Sequence, residues 1–238
     1  MSVFWSEAQE YFPFLLVGAK VTLELSLISM LGGMVLGFLA AIGRLSERRF
    51  IRWPLEVYVE IWRDTPLIVQ LLLIYFSLPE FGIVLSGFWA GVLGLTLNLS
   101  AYLSEVYRAA IMAVDPGQRA AAISLGMSPF QEYRRLIMPQ AFVACLPTQG
   151  GYFIALLKDC SLVSFISVNE LLRHATIVIS NTFDSMNIYL MVAVIYFCMS
   201  FASARCVGWL ERTLTPERRK TVGVKPIMSE LAEEDNTL

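Results

Sequence analysis

The chain has 238 residues, 56% of them hydrophobic and only 16% charged, with a formal net charge of −2 and a mean hydropathy of +0.61. A soluble domain of this length cannot bury so much apolar surface, so the composition excludes the soluble classes and marks a polytopic membrane protein.

The first predicted span covers residues 15–42, and Gly32, Gly33 and Gly37 within it would let a neighbouring helix approach closely. The second runs over about 57–78, entered along an amphipathic approach from Trp53, with a kink expected at Thr65-Pro66 whose freed carbonyl a neighbour satisfies. The third covers about 88–110, the fourth about 141–166 and the fifth about 187–210. Pro147, Gly150 and Gly151 are expected to interrupt the fourth span. Residues 167–186 are too polar to cross and are placed at the surface, with His174 an ordinary exposed residue and Glu170 shaping the outer mouth. The trailing SELAEEDNTL reads as a solvated acidic tail beyond a membrane domain of residues 1–212.

Arginine and lysine collect in the connections after spans one, three and five, whereas PEFGIVLSG after span two has neither. The positive-inside rule then puts the N-terminus outside and the C-terminus in the cytoplasm. No cleavable signal precedes the first apolar stretch. Cys145, Cys160, Cys198 and Cys206 lack metal-ligand or disulfide spacing and are expected to be packing residues. The tryptophans, among them Trp62 and Trp89, suit interfacial anchoring.

Residues 114–141 interrupt the apolar pattern. Asp115, Pro116 and Gln118 form a capped helix start, Gly126 can take the left-handed conformation that ends a helix, and Ser128, Pro129 and Gln131 start a second helix that Pro139 closes. Caps by themselves also fit an ordinary interfacial loop.

GQRAAAISLGMSPFQEYRRLIMPQA resembles the cytoplasmic EAA loop of binding-protein-dependent ABC transporter permeases, with Ala121, Ala122 and Gly126 matching and Leu136 to Pro139 approximating its ending. IWRDTPLIVQLLLIYFSLP, LTLNLSAYLSEVYRAAI and LLKDCSLVSFISVNEL extend the resemblance to the polar amino acid permease family over about residues 18–210. Two positions depart from the pattern: Ala120 replaces the loop acid, leaving its charge contact to Arg119 or Gln118, and Cys160 replaces a hydroxyl residue.

The resemblance implies an all-α, type I ABC importer permease fold with about five transmembrane helices. It implies a substrate pathway and an elbow, residues 115–139, that docks on ABC ATPase subunits through Gln118, Arg119, Ala120, Ala121, Ala122 and Gly126. It further implies a second permease subunit, identical or homologous, and a periplasmic or extracellular amino acid binding protein. Membrane lipid is the surrounding medium, and no nucleic acid partner, metal or resident cofactor is expected. The chain has no GxxxxGK[ST] phosphate loop, so ATP and magnesium would belong to the partner ATPase and the chain is not itself an enzyme.

Ionisable residues within spans need partners or water. Asp159 and Glu105 could accept a substrate ammonium, while Lys158, Ser161, Thr65 and Asn98 could donate to its carboxylate; ion pairing within the protein is the competing account for the charged ones. The competing functional class is a secondary transporter or channel driven by an ion gradient, which five spans without an internal repeat disfavour.

Overall fold

The structure is a computed structural model that describes residues 2–214, with side chains from Gln9 onward. It is an all-helical bundle of α1 (Ser2–Arg44), α2 (Arg49–Asp64), α3 (Leu67–Ser77), α4 (Gly87–Met112), α5 (Pro116–Ser124), α6 (Pro129–Glu132), α7 (Met138–Asp159), α8 (Leu171–Thr182) and α9 (Ser185–Leu214). The acidic tail lies outside the described residues.

Among the described residues, α1, the continuous helical rod Pro129–Ile166, and α9 are long and apolar enough to cross a membrane. The expected second span is broken: α2 and α3 meet at 108° across Thr65 and Pro66. The expected third span, α4, is 26 residues, about 39 Å at the helical rise. It lies at the centre of the bundle, where Gly91, Gly94, Thr96, Ser100 and Ser104 are buried against other helices instead of facing lipid.

The α1–α4 contact organises the bundle. A Cβ at Gly32, Gly33 or Gly37 would press on Thr96, Leu99 or Leu103, so the small residues let the two backbones close up as expected. Leu25, Leu71, Leu95, Leu99, Leu103 and Val163 form the core around that contact. Leu16, Val17, Leu31, Val35 and Leu39 remain exposed on α1, as a lipid-facing stripe requires.

Two expectations fail in the segment of residues 167–186 because tertiary packing covers it. His174 is buried, not exposed: its ring lies 4.5 Å from that of Phe14 and its Nδ1 is 3.1 Å from the Glu170 carbonyl. Glu170 shapes no mouth. It is fully buried as the cap of α8, accepting from the backbone N–H of Leu172 (2.9 Å) and Arg173 (2.7 Å) and from the Tyr196 hydroxyl (3.1 Å). Burial pushes its carboxyl above the usual range, against those three donors.

The fourth span is not interrupted either. α7 runs unbroken through Pro147 and Gly150, and a Cβ at Gly150 would run into Val207, so this glycine admits α9 to close packing. Cys145 and Cys160 are buried as packing residues, whereas Cys198 and Cys206 are exposed on α9.

Candidate functional site

The break in the second span has a local cause. Pro66 has no N–H, so the Trp62 carbonyl loses the donor that a continuing helix would supply. Gln70 Nε2 replaces it at 2.8 Å and also donates to the Thr65 carbonyl at 2.9 Å, while Asn98 Nδ2 donates to the Trp62 carbonyl at 3.0 Å and to Gln70 Oε1 at 2.9 Å. The kink is therefore satisfied by neighbours, as backbone at membrane depth must be. Gln70 was not foreseen, although a lone amide within LIVQLLLI is a readable signal.

Beside the bend lies a cavity of about 380 Å³ lined by residues from α2, α3, α4 and α7, including Arg63, Asp64, Thr65, Tyr102, Tyr152 and Asp159. The Arg63 guanidinium stands 5.5 Å above the Tyr102 ring, whose hydroxyl donates to the Arg63 carbonyl at 3.2 Å. Tyr152 packs on Tyr102 with ring centroids 5.8 Å apart. One guanidinium and two carboxylates around a tyrosine-lined space offer counter-charges to both ends of a zwitterion.

The candidate residues from the sequence divide in this geometry. Thr65, Asn98 and Asp159 line the cavity. Lys158 is exposed and Ser161 half-buried, and neither is among the lining residues. Glu105 sits toward the C-terminal end of α4, where it accepts from Arg44 Nη1 at 2.6 Å and is paired with Arg108 as well, so its charge is already compensated within the protein. Arg63, Asp64, Tyr102 and Tyr152 complete the lining from elements that no local pattern links.

The polar elbow forms around the signals read from its sequence. Asp115 Oδ1 accepts from the Gly117 N–H at 2.6 Å, Gly126 has φ +76°, and Ser128 and Gln131 form the reciprocal cap of α6. Its second arm differs from expectation, since Pro139 does not close it. A π turn, Tyr133–Ile137, in which the Met138 N–H donates to the Tyr133 carbonyl, carries the helix straight into α7. Pro139 falls in the first turn of α7, where its missing N–H does not stop the helix.

Of the expected coupling residues, Arg119 Nη2 donates to the Ile111 carbonyl at the end of α4 at 2.7 Å, and Gln118 Oε1 accepts from Gln140 Nε2 at 2.8 Å. Ala122 is buried, while Ala120, Ala121 and Gly126 are exposed. Ile123, Leu125 and Phe130 project apolar surface outward from the elbow. They were not foreseen, though large apolar residues in a polar run signal such a face.

The family model of the binding-protein-dependent transport system inner membrane component matches residues 33–216. The chain is similar to the probable amino-acid ABC transporter permease protein YckA of Bacillus subtilis (strain 168), at 38% identity over 86% of this chain and 91% of that protein. It is similar to the glutamine transport system permease protein GlnP of Escherichia coli (strain K12), at 34% identity over 88% and 97%. A crystal structure of an amino acid ABC transporter with histidines aligns at a TM-score of 0.83 and 40% identity, covering 88% of this chain and 98% of that one. The MetNI methionine ABC transporter in an inward-facing conformation shares the fold at a TM-score of 0.74 and 18% identity, over 87% and 98% of the two chains.

Proposed function

The chain belongs to the family of binding-protein-dependent transport system inner membrane components, and on that premise we propose that it is a permease subunit of an ATP-driven ABC importer for polar amino acids. It works with a second permease, with cytoplasmic ATPase subunits that bind ATP and magnesium, and with an external amino acid binding protein. The arginine-rich connections support a bacterial inner-membrane orientation with the N-terminus outside and the elbow and C-terminus inside.

The observation that carries this reading is a mechanical continuity. The helical rod that begins at Pro129 in the elbow extends without a break through the π turn and α7 to Asp159 in the cavity wall. A displacement imposed on α5 and α6 by a hydrolysing partner is thus delivered by a stiff element to the residues facing the substrate space. The energy enters from the partner, and this chain supplies the path, the counter-charges and the lever.

The test is uptake by the purified complex in proteoliposomes. ATP-dependent accumulation of polar amino acids, with an ATPase subunit co-purifying, supports the reading. Accumulation driven by an imposed ion gradient without ATP would assign the chain to the gradient-driven class instead.

A further inference from the structure

Helix α2 has three faces. At about 100° per residue, Arg52, Glu56, Glu60 and Arg63 share an arc of about 80°, with Arg52, Glu60 and Arg63 exposed and Glu56 partly buried. Leu55, Tyr58, Val59 and Trp62 form a second face turned into the bundle, with Val59 buried. Phe50, Trp53 and Ile61 form a third, which is apolar and exposed.

Its depth is fixed by contacts. Near its start, Ile51 and Leu55 lie against Gly43 at the inner end of α1. Further on, the Tyr58 hydroxyl donates to the Leu97 carbonyl at 2.9 Å and lies 2.5 Å from Ser100 Oγ, and Asn98 caps Trp62. Leu97 to Ser100 is the midpoint of α4. α2 therefore spans the inner half of the membrane domain, from the arginine-rich side to the level of the bend.

A four-residue charged face at that depth cannot face hydrocarbon, and the helix already has a separate apolar face for lipid. The face carries both signs along the helix axis, in the order basic, acidic, acidic, basic, with Arg52 and Glu56 paired at 3.4 Å. At its upper end the face runs into the cavity, which Arg63 and Asp64 line.

Resting on the importer reading, we propose that the charged face of α2 is the wall of a water-filled inner half-path, along which a zwitterionic substrate leaves the cavity past Arg63, Glu60, Glu56 and Arg52 toward the cytoplasm. A wall bearing both signs offers successive weak partners to an ammonium and a carboxylate without trapping either.

The test uses adjacent residues at one depth on different faces. In the complete complex, with Cys198 and Cys206 replaced by serine, Glu60→Cys and Ile61→Cys are treated in inside-out vesicles with a charged, membrane-impermeant methanethiosulfonate, and ATP-dependent uptake of labelled polar amino acids is measured in parallel. The expected result is modification at position 60 at least tenfold faster than at position 61, with Glu56→Cys behaving like position 60 as a second, independent variant. Equal rates at the two faces, or reaction at position 60 only after the second permease is removed, would overturn the proposal, the latter by showing that a protein surface covers the face. Failure of the importer reading has a different signature, namely uptake indifferent to ATP.

Discussion

Asn98 and Gln70, from different helices, share a 2.9 Å hydrogen bond, and both carboxamides converge on the Trp62 carbonyl that Pro66 leaves without its helical donor. This three-residue junction holds α2, α3 and α4 at the bend beside the cavity.

Replacing Gln70 by leucine strands the Thr65 carbonyl and removes one of the two donors to Trp62. The expected destabilisation is about 1–3 kcal/mol, and Gln70→Glu, which keeps the shape but loses the donor, should cost a similar amount. Thermal unfolding of the purified complex checks it. An unchanged Tm for both variants would mean that the junction does not hold the bend.

Asp159 lines the cavity whereas its neighbour Lys158 does not. Asp159→Asn is expected to lower kcat/KM for ATP-driven uptake by roughly tenfold, about 1.4 kcal/mol, with the complex still assembled. Lys158→Gln should have a much smaller effect. If the lysine variant is the more impaired, the cavity is not where the substrate is held.

Gly126 turns the elbow at φ +76°, with open space where a Cβ would stand. Valine there meets no steric obstacle but strains the backbone by about 1–2 kcal/mol. Gly126→Val is expected to raise the number of ATP molecules hydrolysed per substrate imported, and Gly126→Asn, which tolerates the left-handed region better, to raise it less. The measurement is the ratio of ATPase to uptake rates in proteoliposomes.

Arg119 holds α5 to the end of α4 through the Ile111 carbonyl. Arg119→Ala should lower coupled uptake several-fold while ATPase subunits still co-purify, because the lost contact lies within this chain. Loss of co-purification would show instead that the guanidinium reaches the ATPase directly, which is the role expected from the missing loop acid at Ala120.

Much of the elbow was legible in the sequence because caps and turns are short-range. Asp115 acts on Gly117, Ser128 on Gln131, and Gly126 on its own backbone, so each signal sits within four residues of its effect. Pro139 was misread for a related reason: a proline removes a donor, but whether the helix stops or continues through one widened turn depends on what holds the next segment, here α7 in the bundle. Pro147 and Gly150 were misread as a break because the close approach of α9 at Gly150 lies 57 positions away in the chain.

The sequence by itself determined that the chain is helical and membrane-embedded, where its polar elbow lies, and where its second span bends, since hydropathy, capping and the missing proline donor act on adjacent residues. Only the tertiary structure decided which charges were free. It joined Glu105 to Arg44 across 61 positions, buried His174 against Phe14, and brought Arg63, Tyr102, Tyr152 and Asp159 around one cavity. An ionisable side chain within a span must find a partner or water, and which of the two it finds depends on the helix faces that meet, a property no single segment carries.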